Sequence, residues 1–204
     1  YNKVKLALLE KNLPFAEELV WLGEADQQLS PLGKVPYLKT AQGPISESGA
    51  IIEYVHALPG APALLPADGY AAAKVRELDT YINLHLELVA RNLYPQALFG
   101  GKISDEVRET TLPQLEKNVA AFARLARFTP FIAGDSFSIA DCSAIVHLPL
   151  VSTATKLVYG KDVLAELPVR DYLARMGERA TVQKVSADRK ANAAQMVERM
   201  KAGK

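Results

Sequence analysis

Two short runs concentrate the chemistry of this 204-residue chain: GKVPYL at 33–38 and ISESGAIIEY at 45–54. In the first, Pro36 follows Val35 at the opening of a short strand, where a residue without an N–H costs the ladder nothing. Lys34 stands just before it, a cation able to reach a carboxylate. In the second, Glu47 and Ser48 fall at the start of a helix. There a carboxylate attracts an ammonium, and a hydroxyl with free backbone N–H groups receives an anion at the positive end of the helix dipole. Each run alone also has a plain reading. A Val-Pro bond is cis in only about 5–6% of folded cases, and Ser46-Glu47-Ser48 also suits a mere helix start with Ser46 as its N-cap.

Other reactive residue types carry less. His56, His85 and His147 lack any close metal-ligand spacing, so no metal site is expected. Cys142 lies in an apolar run and reads as a small core residue. Phe137-Ser138-Ile139-Ala140-Asp141 has the form of a capping box, with Ser138 as N-cap and Asp141 reaching back to its N–H. Asp141 is therefore assigned to folding rather than to catalysis. Tyr81, Tyr94 and Phe99 have the residue type to line an apolar pocket, but aromatics at helical positions read as core and stay outside the site.

Composition narrows the function classes. Lys plus Arg is 24, Asp plus Glu is 23 and the net charge is +1, so there is no basic footprint for nucleic acid. The apolar fraction of 49% and charged fraction of 23% are those of a globular protein. The single cysteine excludes an intrachain disulfide and suits a reducing compartment. No uninterrupted apolar run reaches the roughly 18 residues of a membrane span.

The elements that must position the two runs follow from periodicity and turn signals. Residues 2–12 read as an amphipathic helix, with Val4, Ala7 and Leu8 inward and Lys3, Lys5, Glu10 and Lys11 as its charged face. Asn12, which tolerates a left-handed backbone, ends it ahead of Pro14. Residues 15–22 are rich in strand formers. Strands at 37–40 and 45–46 flank the turn at 41–44, and a helix follows over 47–57. The order resembles the second half of a βαβ unit, which implies one strand and one loop upstream of Tyr1. Residues 59–69, rich in Pro and Gly, read as a linker. Beyond it the pattern is all helical: 70–94, disturbed near Pro95; 104–127, bent or tightened at Pro113; an apolar central helix over 138–158; and charged outer helices over 168–178 and 181–200. The expected organisation is an α/β domain at 1–58, the linker, and an all-α domain at 70–204.

Taken in order, KVKLALLEKNLPF, SPLGKVPYL, ISESGAIIEYV, the linker, the helical second half and FIAGDSFSIADCSAIV resemble the glutathione S-transferases of the bacterial, cytosolic type. The resemblance implies a thioredoxin-like first domain, its first strand missing from this chain, and a helical bundle second. It implies that Pro36 is cis and that the N–H and C=O of Val35 pair with the cysteinyl part of glutathione as an added strand. It gives Glu47 to the ligand's ammonium, Ser48 to its γ-glutamyl carboxylate and Lys34 to its glycine carboxylate. The activity implied is conjugation of the glutathione thiolate to a small hydrophobic electrophile, as in detoxification. The group that activates the thiol is expected in a loop upstream of Tyr1, so the catalytic residue is unknown. A glutathione-dependent isomerase or disulfide reductase on the same scaffold remains an alternative. So does a non-enzymatic scaffold of the stringent-starvation type, since one fold serves many functions. Glutathione as co-substrate, no metal, a homodimer, a cytoplasmic location, and no nucleic-acid or membrane partner complete the expectation.

Overall fold

The computed structural model describes residues 1–21 and 23–202; Leu22, Gly203 and Lys204 lie outside them. The chain forms two compact units, Tyr1–Ala63 with Met176–Lys204, and Leu64–Arg175.

The first unit is built on α1 (Asn2–Glu10), which stops where Asn12 turns left-handed at φ 52°. The charged face expected for this helix is not in solvent. Lys3, Lys5, Glu10 and Lys11 are 6%, 2%, 5% and 3% exposed. The correction has a physical cause in α9 (Ala180–Ala202), which packs on α1 and supplies counter-charges that sequence periodicity does not reveal. The Lys5 ammonium lies 2.6 Å from Asp188 and also pairs with Glu17. Glu10 accepts from Arg179 Nε at 3.1 Å and Nη2 at 2.6 Å, and from the Thr181 hydroxyl. Lys11 Nζ donates to the carbonyls of His56 (2.8 Å) and Leu58 (2.6 Å). These lie at the C-terminal end of α2 (Ser48–Ala57), where unpaired carbonyls and the negative dipole end favour a cation.

The sheet of this unit is one antiparallel hairpin, β1 (Tyr37–Thr40) with β2 (Gly43–Ser46). The strand expected at 15–22 does not form over 15–21, and Leu22 lies outside the described residues. A strand exists only as a partner in a ladder, and among the described residues none pairs with this segment. Its apolar side chains are incompletely covered: Phe15, Val20 and Trp21 are half-buried and Leu19 is 59% exposed. Charged side chains hold it instead, through Glu17 to Lys5 and Tyr1 and through Glu18 to Lys39 of β1 at 2.6 Å.

The second unit is helical. Asp68 caps α3 (Gly69–Thr80) by accepting from the Ala71 N–H at 2.8 Å. The expected 70–94 helix is a relay of forms. A π-helical stretch, Tyr81–Glu87, is followed by α4 (Leu88–Ala90), a 3-10 turn at Arg91–Leu93 and α5 (Tyr94–Phe99). Pro95 sits in the first turn of α5, where its missing N–H has no intrahelical partner to lose. Ser104 caps α6 (Asp105–Ala123), which runs through Pro113 without ending. Then come α7 (Ile139–Tyr159) and α8 (Val169–Met176). By length and composition α7 is apolar enough to cross a membrane, yet half of its most apolar window is buried inside the protein. It behaves as a core helix, with Cys142, Leu148, Val151 and Ala154 fully enclosed.

The capping box at the start of α7 forms and extends further than its two partners. Asp141 Oδ2 accepts from the Ser138 N–H (2.8 Å) and hydroxyl (2.9 Å). Its Oδ1 accepts from the Ile132 N–H and the Tyr172 hydroxyl, both at 2.9 Å. One buried carboxylate thus joins the 131–134 turn, α7 and α8. Burial raises its pKa against the pull of these four donors. Removing it strands several buried donors at once, each costing about 1–3 kcal/mol. Asp141→Ala is therefore expected to lower stability by about 3 kcal/mol or more in chemical denaturation. Tyr172→Phe is expected to cost about 1 kcal/mol, and the two losses should not add.

The α1–α9 ion cluster sets an acid limit. Burial acts to raise the Glu17 pKa, but the bonds from Lys5 and Tyr1 outweigh it, and the net value falls below the ordinary 4.5. Lys5 and then Lys184 draw Asp188 below its ordinary 3.8. Both folded values lie beneath the unfolded ones, so this stabilisation is present above about pH 4 and is lost as pH falls through the folded values. Denaturation at stepped pH should show that decline, and Lys5→Met should make its slope below about pH 4 shallower.

Candidate functional site

The hairpin register brings the two informative runs together. Tyr37 pairs with Ser46 at the open end of the hairpin. The residues just before β1, Lys34 to Pro36, and those just after β2, Glu47 and Ser48, therefore share that end. The Val35-Pro36 peptide bond is cis. The ladder begins at Tyr37, so Val35 lies outside it, 44% exposed.

Each flank has its own support. On the β1 side, Gly33 takes φ +62°, a left-handed conformation that suits glycine, and its N–H donates to the Ser30 carbonyl at 2.7 Å. The buried Ser30 hydroxyl accepts from the Lys34 N–H at 3.2 Å. The Lys34 side chain points from this anchored turn into water. On the β2 side, Ser46 does not cap the helix, because its backbone is engaged in the ladder opposite Tyr37. The N-cap is Glu47, at φ 67° and ψ 116°, with no side-chain cap bond. The first helical donor is the Ile51 N–H, which reaches the Glu47 carbonyl at 3.0 Å. The N–H groups of Ser48, Gly49 and Ala50 thus have no partner within α2, and they sit at its positive dipole end.

This arrangement offers an extended backbone edge at Val35, an anion-receptive helix start at Ser48, a carboxylate at Glu47 and a cation at Lys34. A ligand matched to all four would be a short extended peptide with an ammonium and carboxylate at one end. Glu47 holds a backbone conformation that is uncommon for any residue but glycine or asparagine. Such strain persists where the surroundings impose it, and it gathers at ligand-binding positions. The residue types gave no hint of it, since a Gly or Asn at 47 would have signalled a left-handed turn and Glu does not.

Tyr1 stands at the head of α1 as its N-cap residue. Its hydroxyl donates to Glu17, and burial together with that carboxylate raises its pKa well above the ordinary value. A phenol so placed is already engaged as a donor to Glu17. Cys142 is fully buried in α7, and no cluster of three or more His, Cys, Asp or Glu suited to a metal ion occurs among the described residues.

Residues 1–63 match the family described as the glutathione S-transferase N-terminal domain, and residues 105–175 match its C-terminal domain. Over its full length the chain is 39% identical to a protein named glutathione S-transferase from Pseudomonas putida, of which it covers 94%. Its structure is similar to that of Gtt2 from Saccharomyces cerevisiae, with a TM-score of 0.69 and 27% identity over 90% of this chain and 94% of that one. It shares its fold with a glutathione S-transferase from Methylobacillus flagellatus solved with glutathione bound, with a TM-score of 0.72 and 22% identity over 90% and 92% of the two chains. With a full-length relative at this identity and both halves matched, the chain belongs to the glutathione S-transferase family.

Proposed function

We propose that this chain binds glutathione along Val35 and the first turn of α2, and that it joins the glutathione thiolate to a small hydrophobic electrophile. The observation that carries the reading is the common end of the hairpin, which places the exposed backbone of Val35 and the left-handed Glu47 on either side of the Tyr37–Ser46 pair. The N–H and C=O of Val35 pair with the cysteinyl residue of the ligand as a short added strand. Glu47 faces the ammonium of the γ-glutamyl end. Ser48 receives the adjacent carboxylate through its hydroxyl and N–H, with the α2 dipole in support. Lys34 takes the glycine carboxylate.

A thiol of ordinary pKa near 8.5 is mostly protonated at neutral pH, so the reaction needs a donor that favours the thiolate. Tyr1, held by Glu17, is not given that role. In the chemical step the sulfur forms a C–S bond while the leaving group departs from the electrophile with its electron pair. The part of this chain is to hold the tripeptide extended, with its two charged ends neutralised and its sulfur free.

Calorimetric titration of the intact protein with glutathione tests the reading. Saturable binding is expected, weakened about tenfold or more in Glu47→Ala, the size of a lost charge-assisted hydrogen bond. No binding by the wild type, together with a stoichiometric protein partner recovered by pull-down, would overturn it in favour of a scaffold. The strain at Glu47 gives a second expectation. At φ 67° a glycine is unstrained and an alanine is not. Glu47→Gly should therefore be about 1 kcal/mol more stable than Glu47→Ala in chemical denaturation, with both variants binding glutathione weakly. Equal stability would show that the backbone at 47 relaxes freely.

A further inference from the structure

The segment from α1 to the Val35-Pro36 step has no ladder to hold it over residues 13–21, so its order rests on side-chain ties. Glu17 ties it to α1 and Glu18 ties it to β1. A third tie comes from far along the chain. In α9, the Arg199 guanidinium lies over the Trp21 ring, 4.8 Å from its centroid, and donates to the Glu24 carboxylate. From this clasp a series of turns leads to the site. The Glu24 N–H donates to the Trp21 carbonyl at 3.0 Å. Asp26 closes the next turn, its carboxylate accepting from the Gln28 N–H (2.8 Å) and its carbonyl from the Ser30 N–H (2.9 Å). Ser30 then accepts from Gly33 and Lys34, and Val35 follows.

A lone exposed Arg-Glu pair is ordinarily worth little. This one differs in that the same guanidinium also stacks on an aromatic ring, and in that the segment it holds has only local turns and no strand partner among the described residues. We propose that Arg199 is a positioning residue for the glutathione site: by clasping Trp21 and Glu24 it fixes the segment that ends in Lys34 and Val35, and it favours glutathione without touching it. The proposal rests on the glutathione reading above. The clasp passes to the site no more free energy than it makes itself. For an exposed cation–π contact that bounds the effect on affinity at roughly two- to fivefold.

The test uses the single tryptophan of the chain. Intact wild type, Arg199→Ala, Arg199→Lys and Glu24→Gln are titrated with glutathione, following Trp21 fluorescence and, in parallel, heat. The wild type is expected to give a saturable fluorescence change with the same Kd as calorimetry. Arg199→Ala should raise Kd, and KM for glutathione, by roughly two- to fivefold, with a melting temperature lowered by no more than about 4 °C and unchanged KM for the electrophile. Arg199→Lys, which keeps a cation over the ring, should recover most of the loss, and Glu24→Gln should show a smaller one. A glutathione Kd equal in wild type and Arg199→Ala overturns the clasp and leaves the glutathione reading standing. A loss that Arg199→Lys does not recover and that tracks a larger fall in melting temperature also overturns it. A wild type that binds no glutathione by calorimetry overturns both.

Discussion

The pairing of Tyr37 with Ser46 is the constraint on which the site depends. Two runs of sequence about ten residues apart become one surface only because this register puts both at the open end of the hairpin. A slip of one residue would turn every side chain of the strand to the opposite face, and Val35 would no longer stand opposite the start of α2. Much of the first unit serves to keep this end in place. Lys11 holds the far end of α2 by its last carbonyls. Ser30 anchors the turn that feeds Lys34. The backbone of Glu47 gives up a comfortable conformation to leave β2 and enter α2 in a single residue.

Each unit relies on buried charge that is fully answered. In the first, α1 is enclosed on both faces; Lys5 finds partners on α9 and in the irregular segment that follows α1, and Glu10 finds them in Arg179 and Thr181 at the start of α9. In the second, Asp141 gathers two amides and two hydroxyls from three separate stretches of chain. Such arrangements add little compared with an apolar core of the same shape. They are costly to break, however, because a lost partner leaves a charge or donor stranded away from water. They therefore specify how the elements meet more than they deepen the energy minimum.

The sequence was legible where the cause of structure is local. Asn12 as a helix stop, the hairpin, the α7 capping box and the disturbance near Pro95 each depend on residues within a few positions of one another, and each is found, although the turn expected at 41–44 is shorter, with Gly43 and Pro44 already paired in β2. It misled where the cause is distant. Lys3, Lys5, Glu10 and Lys11 have the spacing of a wet face, but distant partners enclose three of them: Asp188 and Thr181 of α9 meet Lys5 and Glu10, and the carbonyls that end α2 meet Lys11. Residues 15–21 have strand propensity, but propensity without a neighbouring strand gives no ladder. Ser46 has the residue type of an N-cap, but its pairing with Tyr37 passes that position to Glu47. The two runs that meet at the end of the hairpin could be read as a candidate site from residue types and family resemblance. The strained backbone at Glu47 and the Arg199 clasp could not, since one depends on local geometry foreign to its residue type and the other on tertiary contact.

Under the proposed function, the end of the hairpin receives an extended tripeptide through the backbone of Val35 and the first turn of α2. Titrating 15N-labelled protein with glutathione and following individual amide resonances addresses it directly. The amides of Val35, Ser48 and Gly49 are expected to shift together, saturably and with one Kd. Saturable binding that moves other resonances while leaving those three in place would contradict it.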